Sequence, residues 1–241
     1  MKVVLFIIHF ILFTGIVFSQ PSAKENTEIA LKYFKSQEYD KTIKYCDKAI
    51  SIDSLCVEAY IYRGICKSIK GNDGLMDLNR AIYINPENSK AFRNRAVIKH
   101  NMKDYDSAIN DYKKAIDLNP EFAIQYTNLG LLYVEMNLFK ESIPYFTESL
   151  KRNPKDSETY LNRGSAYLKI EDYINAEPDL NKAIKLNKND VMGYYNLSIV
   201  YYRTGRIKEA LKFCEKAIKM DPNIQDVQRL YGYIKDDLKK N

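Results

Sequence analysis

The segment KKAIDLNPE, residues 113–121, decides the fold, because near copies of it recur along the chain at an almost constant interval. The copies are CDKAISIDS (46–54), NRAIYINPE (79–87), TESLKRNPK (147–155), NKAIKLNKN (181–189) and EKAIKMDPN (215–223). The intervals between their shared small residue are 32, 34, 34, 34 and 34 residues, counted through Ala49, Ala81, Ala115, Ser149, Ala183 and Ala217. Similarity at a fixed period of this length is typical of repeat proteins.

Each repeat contains two stretches whose apolar residues recur with helical spacing. In the sixth repeat, the first stretch places Tyr194, Leu197, Ser198 and Tyr201 at i, i+3, i+4 and i+7. A second stretch with the same pattern follows Gly205, which acts as a helix stop, and in most repeats a proline ends it. Each repeat is therefore predicted to be a pair of antiparallel helices. One pair cannot bury its apolar face alone, so neighbouring pairs must stack.

With these features the chain resembles the tetratricopeptide repeat (TPR) family. The matching residues are an aromatic, leucine or arginine, glycine or alanine and tyrosine in the first helix, then alanine, an apolar residue, alanine and proline in the second. The resemblance implies an all-α, right-handed superhelical solenoid whose first helices line a concave groove. It predicts six repeats and a solvating C-terminal cap helix, at residues 23–56, 57–88, 89–122, 123–156, 157–190, 191–224 and 225–241.

Two local features depart from the regular pattern. The second repeat is two residues short, so we expect a shortened second helix and an irregularity near its 70–74 turn. Pro144 and Pro178 lie 34 residues apart, each near the start of a second helix, and are expected to be tolerated in or just past the first turn.

Arginine occupies a predicted core position in three repeats. Position seven holds Ile29, Arg63, Arg95, Leu129, Arg163 and Leu197, and position 23 holds Tyr45, Asp77, Asp111, Tyr145, Asp179 and Phe213. Every repeat with arginine has aspartate on its second helix, and every other repeat has an aromatic residue there. Because an unpaired buried charge is costly, we predict three structural ion pairs, Arg63–Asp77, Arg95–Asp111 and Arg163–Asp179.

The chain contains few side chains arranged for catalysis or metal binding. His100 is the single histidine after residue 19, no cysteine–histidine cluster has zinc spacing, and phosphate-loop, nucleophile-elbow and zinc-protease motifs are absent. We expect no catalytic residue, no metal and no cofactor. The net charge of +6 is spread along the chain, which disfavours nucleic acid as a partner. The cysteines are expected to be small buried residues, although one disulfide among Cys46, Cys56 and Cys66 is left open.

The first 19 residues differ from the rest. Lys2 precedes an uncharged apolar run over 3–18, and Val17 and Ser19 suit the −3 and −1 sites of a signal peptidase. We interpret residues 1–19 as a signal peptide cut after Ser19, which makes the mature chain exported, periplasmic or secreted. The alternative is an uncleaved N-terminal anchor, the one predicted membrane contact, although the run is shorter than the ~20 residues of a spanning helix.

In the family that the chain resembles, set positions of the first helices face the groove. Position six gives an asparagine ladder, Asn94, Asn128, Asn162 and Asn196. Amides both donate and accept, so a ladder could bind the backbone of an extended peptide, although asparagine here could instead serve local packing. The other predicted groove residues are Tyr62, Arg93, Leu131, Ser165, Tyr195, Ile199 and Tyr202. The lysine and asparagine of carboxylate-clamp TPRs are missing from positions five and nine.

These observations favour a non-catalytic scaffold that binds a peptide segment or protein partner in the groove, within a bacterial cell-envelope assembly. The alternatives are a self-associating structural module and a regulatory subunit of an envelope enzyme complex.

Overall fold

The computed structural model describes residues 20–240, and the predicted signal peptide lies outside them. The described part folds into thirteen α-helices and contains no strand. The helices are α1 Ala23–Lys35, α2 Tyr39–Ile52, α3 Val57–Ile69, α4 Leu75–Ile84, α5 Ser89–Asn101, α6 Tyr105–Leu118, α7 Ala123–Glu135, α8 Phe139–Arg152, α9 Ser157–Lys169, α10 Tyr173–Leu186, α11 Val191–Arg203, α12 Ile207–Met220 and α13 Gln225–Lys240. None of these helices is both long and apolar enough to cross a bilayer.

The helices form six stacked pairs, α1 with α2 through to α11 with α12. Each first helix also contacts the first helix of the next repeat, and α11 contacts α13 in the same way. Within residues 20–240, no two second helices contact each other. The first helices therefore approach one another on the inner, concave side of the stack, and the second helices lie apart on the outside. The predicted all-α TPR-type solenoid is confirmed.

Every helix pair turns through one residue with a left-handed backbone. The six residues fall at the same repeat position, with φ between 59° and 77°, and are Gln37, Gly71, Lys103, Asn137, Glu171 and Gly205. Four of them carry a β-carbon, which costs about 1 kcal/mol in this conformation. The loop geometry is thus kept even where the sequence does not supply glycine.

A small residue in each first helix allows close packing of the second helix. A Cβ atom on Gly130 would lie 2.7 Å from Phe146 Cε1, and one on Gly164 would lie 2.8 Å from Leu180 Cγ. Phe146 and Leu180 are fully buried. These glycines therefore make room for the largest core side chains that face them.

The expected irregularities occur where the sequence places them. Helix α4 has 10 residues, whereas α6 has 14. A Cβ atom on Gly74 would lie 2.1 Å from the Gly64 carbonyl oxygen, so α4 begins directly against α3. Pro144 and Pro178 are each the sixth residue of their helices, α8 and α10, just past the first turn.

Helix α13 closes the stack. Val227, Leu230 and Ile234 are buried against the core of the sixth repeat. Lys235 and Asp236 lie on its exposed side. The helix has the one-sided polarity of a terminal cap, which solenoids need for solubility.

Candidate functional site

The three predicted arginine–aspartate pairs are interhelix contacts with two hydrogen bonds each. In every pair, arginine Nε and Nη2 donate to the two carboxylate oxygens over 2.6–3.0 Å. The aspartates are buried, with 4–6% exposure. This two-pronged geometry satisfies both carboxylate oxygens, which is what allows a charge at a packing position.

The third nitrogen of each arginine joins neighbouring repeats. Nη1 donates to a residue of the preceding second helix, over 2.7 Å to Asp47 from Arg63 and 2.8 Å to Asn79 from Arg95. Arg163 Nη1 donates in the same way to a threonine hydroxyl at 3.0 Å. These arginines therefore hold the stack together and are not free to bind a ligand.

A third repeat position follows the same division into charged and aromatic repeats in five of the six repeats. In the fourth repeat, Tyr133 stacks on Tyr145 with ring centroids 5.3 Å apart, and related aromatic contacts occur in repeats one and six. In the third repeat, Lys99 takes the place of Tyr133, and its Nζ lies 2.8 Å from Asp111. Lysine accompanies the arginine–aspartate pair in repeats two and three, and tyrosine accompanies the aromatic residue in repeats one, four and six. Repeat five is the exception, because Tyr167 stands beside its arginine–aspartate pair.

A hollow of about 280 Å³ lies between α3 and α5 on the concave surface, and we call it the middle hollow because it is the second of three along the chain. The predicted residues Tyr62, Arg93 and Asn94 line it, together with Phe34 and Ile65. Asn94 Nδ2 donates to a carbonyl of its own helix at 2.8 Å. Burial lowers the pKa of Arg93, and its guanidinium forms no ion pair or hydrogen bond with any residue between 20 and 240.

A larger hollow of about 530 Å³ lies toward the C-terminal end. It brings together the predicted residues Ser165, Tyr195, Asn196 and Ile199. Tyr202 lines an adjoining hollow of about 200 Å³. The hydroxyl of Tyr202 donates to a carboxylate oxygen of the cap helix at 2.7 Å, so this tyrosine is held in place.

The cap helix is also part of the groove, which the sequence reasoning missed. Asp226, Arg229 and Tyr233 line the C-terminal hollows. They follow Met192, Tyr195 and Ile199 by the repeat interval of 34 residues, so the repeat phase carries on past the last proline. That phase was the signal that could have found them.

A third hollow, of about 490 Å³, lies between α1 and α3 at the N-terminal end. Tyr62 is the one predicted site residue that lines it, beside Thr27, Leu31 and Cys56. Leu131 lies half-buried on α7, outside the three main hollows.

The four asparagines of the predicted ladder are not equivalent. Asn196 is 8% exposed, and its Nδ2 donates to Ser165 Oγ at 2.8 Å, across the repeat boundary. Asn94 is bonded within its own helix. By contrast, Asn162 Nδ2 is buried without an acceptor, and Asn128 makes no side-chain hydrogen bond in the described part of the chain. Local packing accounts for the outer two, and the inner two keep unused hydrogen-bonding groups.

The four cysteines are free thiols. Burial raises the pKa of Cys46 to about 12 and the pKa values of Cys66 and Cys214 to about 11. These three behave as small core residues. Cys56 is half-buried, and its Sγ lies 3.3 Å from Thr27 Oγ1 at the N-terminal hollow.

The lone described histidine is a link between repeats. His100 Nε2 lies 2.6 Å from Glu135 Oε2, and Tyr105 donates to the other carboxylate oxygen at 2.8 Å. The hydrogen bond with His100 is the main reason that the pKa of Glu135 is lowered. Across residues 20–240, no group of three or more histidine, cysteine, aspartate or glutamate side chains is arranged to hold a metal ion.

Family profiles match much of the chain. A profile described as TPR repeat matches residues 101–137, and profiles described as tetratricopeptide repeat match 126–156, 157–190 and 191–224. Together they cover 101–224, just over half of the chain. The chain belongs to the tetratricopeptide repeat family. The last two matches have the same bounds as the predicted fifth and sixth repeats of this TPR protein.

A curated relative is similar to part of this TPR chain. Hsp70-Hsp90 organizing protein 3 of Arabidopsis thaliana is 31% identical over 94 residues, which cover 38% of this chain and 17% of the plant protein. The chain thus spans about a sixth of that relative.

Solved structures share the fold. PilF of Pseudomonas aeruginosa superposes with a TM-score of 0.79 at 16% identity, covering 88% of this chain and 97% of PilF. YrrB, described as a TPR protein with an unusual peptide-binding site, gives 0.67 at 19% identity, covering 79% of this chain and 97% of YrrB. A chain of the Cut9–Hcn1 assembly gives 0.70 at 17% identity, covering 88% of this chain but 43% of that one. TPR repeats are in general non-catalytic interaction modules.

Proposed function

We propose that this TPR protein is an interaction scaffold that binds an extended peptide segment of a partner protein along its concave groove, and that it has no catalytic activity of its own. One observation carries the proposal: hollows of about 490, 280 and 530 Å³ follow one another along the surface that the first helices line. Concave sites with apolar walls and a few polar groups are where ligands bind in proteins generally. YrrB, which shares the fold, is described as having a peptide-binding site.

The polar groups between the hollows suit a peptide backbone. Asn128 and Asn162 lie on α7 and α9, between the middle hollow and the C-terminal one. The unused amide donor of Asn162 is an unfavourable feature of the free protein, because a buried donor without an acceptor costs about 1–3 kcal/mol. A small rotation that presents it to a peptide carbonyl would remove that cost without reading the peptide sequence.

The test replaces both asparagines by alanine and compares the loss of peptide affinity with that of a variant in which two exposed asparagines are replaced. The mature chain, residues 20–241, and its Asn128→Ala/Asn162→Ala variant are immobilised and offered a phage-displayed library of random twelve-residue peptides. Selected peptides should bind the variant roughly tenfold more weakly, the loss of two hydrogen bonds. The matched control, Asn110→Ala/Asn189→Ala, removes two exposed asparagines outside the groove and should bind as the wild type does. If the selected peptides bind the groove variant as tightly as the wild type, the two asparagines have no role in peptide binding. If the library yields no peptide that binds the wild type, the proposed peptide-binding function is wrong.

We also propose that the mature chain is exported and works in a bacterial cell-envelope assembly, in the periplasm or after secretion. The apolar run ahead of a small-residue cleavage pattern at Val17 and Ser19 supports this. The intact mass of the protein purified from its own cells tests it, and a mature chain that begins at Gln20 is expected. A retained Met1 would instead favour the N-terminal anchor.

A further inference from the structure

Arg93 differs from every other half-buried arginine between residues 20 and 240. The remaining five are Arg63, Arg95, Arg152, Arg163 and Arg206, and each has a carboxylate within 2.8 Å of a guanidinium nitrogen. Arg93 has no such partner and no hydrogen bond in this part of the chain. It is also the one of the six that lines the middle hollow of the concave surface.

The described residues around Arg93 partly remove water from the guanidinium but supply no hydrogen-bond acceptor or carboxylate in its place. Burial lowers the pKa of Arg93. For Arg63, burial is the largest single effect and lowers the pKa as well, but the hydrogen bonds and charges of Asp77 and Asp47 together outweigh it, so the pKa is raised. Arginine stays charged in proteins, so Arg93 is a partly desolvated cation whose compensating anion is not supplied by the described residues.

Aromatic and aliphatic side chains lie beside Arg93 in the middle hollow. Tyr112, on the helix behind it, lies close enough for the charge of Arg93 to lower its pKa against the larger opposite effect of burial. Phe34, Tyr62 and Ile65 form an apolar wall of the same hollow. The charged residues Glu58 and Lys90 also line the hollow, but both are exposed to solvent. A ligand at this place therefore meets the half-buried guanidinium of Arg93 beside an aromatic and aliphatic surface.

We propose that Arg93 is a specificity subsite that binds the side-chain carboxylate of an aspartate or glutamate in the peptide held by the groove. The inference rests on the proposed function. The hollow belongs to repeats two and three of six, and the groove continues beyond it toward both ends. A bound peptide would thus pass over Arg93 rather than end there, which favours a side-chain carboxylate over a terminal one. The apolar wall predicts an aromatic or aliphatic residue beside the acidic one.

The size of the effect follows from the type of contact. Hydrogen bonds to charged groups contribute more than neutral ones, and the fold has already taken part of the water from Arg93. A peptide glutamate should therefore bind roughly ten- to a hundredfold more tightly than a glutamine at the same position. The preference should weaken as salt is raised, because the hollow is open to solvent.

The experiment first selects binding peptides and then compares the affinities of one peptide and its glutamine-substituted form. The random twelve-residue library is selected on the mature wild type, on Arg93→Met and on Arg80→Met, a control that removes an exposed arginine of α4 with the same change of charge. The wild type and Arg80→Met should enrich aspartate or glutamate at one position next to an apolar residue, and Arg93→Met should lose that enrichment. One selected peptide is then synthesised with glutamate or glutamine at the acidic position, and its affinity is measured by calorimetry.

The outcomes separate this inference from the function on which it rests. Selected peptides without a glutamate preference, or with one that Arg93→Met retains, overturn the Arg93 subsite and leave peptide binding intact. Peptides whose binding is abolished by C-terminal amidation, and not by glutamine, overturn the side-chain assignment. A library without wild-type binders overturns both proposals. If Arg93→Met fails to fold by circular dichroism, the glutamate preference of the wild type and the response of Arg93→Lys decide the question.

Discussion

Removing Asp111 should damage the third repeat more than its single carboxylate suggests. Asp111 is 4% exposed and pairs with two cations, whereas the side chains of Arg95 and Lys99 are 19% and 20% exposed. Asp111→Ala leaves both cations half-buried without a carboxylate. Breaking a buried pair costs about 3–5 kcal/mol, and since both cations keep some water, we expect the low end, ~3 kcal/mol. For a chain of this length that is a fall of roughly 6–12 °C in Tm.

The assay is urea and thermal unfolding of the mature chain, with circular dichroism as the signal that monitors unfolding. Amide hydrogen exchange of α5 and α6 accompanies it, because a solenoid can open repeat by repeat. The control Asp117→Ala removes an exposed carboxylate of the same helix and should change stability by less than ~0.5 kcal/mol.

A triple variant tests the reason for the loss. Arg95→Leu, Lys99→Tyr and Asp111→Tyr copy the side chains that the fourth repeat has at these three positions. Replacing buried ion pairs by well-packed apolar groups is often neutral or stabilising, so the triple variant should recover most of the ~3 kcal/mol. The reasoning is refuted if Asp111→Ala loses less than ~1 kcal/mol, or if the triple variant is as unstable as the single one.

Three further predictions concern packing, backbone and thiols. Gly130→Ala places a methyl group against the buried Phe146 ring and should lower the free energy of unfolding in urea by about 1–2 kcal/mol, the cost of overpacking less the better helix propensity; an increase would contradict the close approach. Glu171→Gly relieves a side chain at φ 62° and should raise that free energy by up to ~1 kcal/mol, whereas a loss would show that Glu171 contributes contacts. In the reduced native protein at pH 8, a thiol reagent should modify Cys56 rapidly and the other three thiols, whose pKa values burial raises to about 11–12, after unfolding. Cys56→Ser should abolish the rapid phase, and several rapid thiols would contradict the burial.

The sequence predicts the fold well because the same pattern of apolar and small residues occurs separately in each of the six repeats. The small residues from Ala49 to Ala217 fix the phase, and two residues missing from the second repeat account for the short α4. The alternation of arginine–aspartate with apolar–aromatic pairs locates contacts between helices, because a buried charge needs its counterpart in the same repeat. These are properties of packing positions, where neighbours in the stack are set by the period alone.

The groove is less predictable, since a surface side chain has several partners within reach. Repeat position six alone cannot tell that Asn196 donates to Ser165 across a repeat boundary while Asn162 Nδ2 has no acceptor. The difference depends on what lies at position nine of the preceding repeat, where Ser165 is the one hydroxyl among leucine, isoleucine and valine. The repeat period places Asp226, Arg229 and Tyr233 of α13 at groove positions, but a helix that follows the last repeat is expected to be only a cap, so its contribution to the groove is not predicted.

Repetition within one chain also separates structural charges from those available to a ligand. Arg63, Arg95 and Arg163 occupy one repeat position, and each finds its aspartate at a second position of the same repeat. Arg93 stands two residues before Arg95 on the same helix, and no other repeat has a charge at its position. A structural cation would require a counterpart fixed by the period, and Arg93 has none among the described residues. Its counterpart must therefore be sought in whatever enters the groove, which is why the peptide's acidic residue, and not the stability of the chain, is the decisive readout for Arg93.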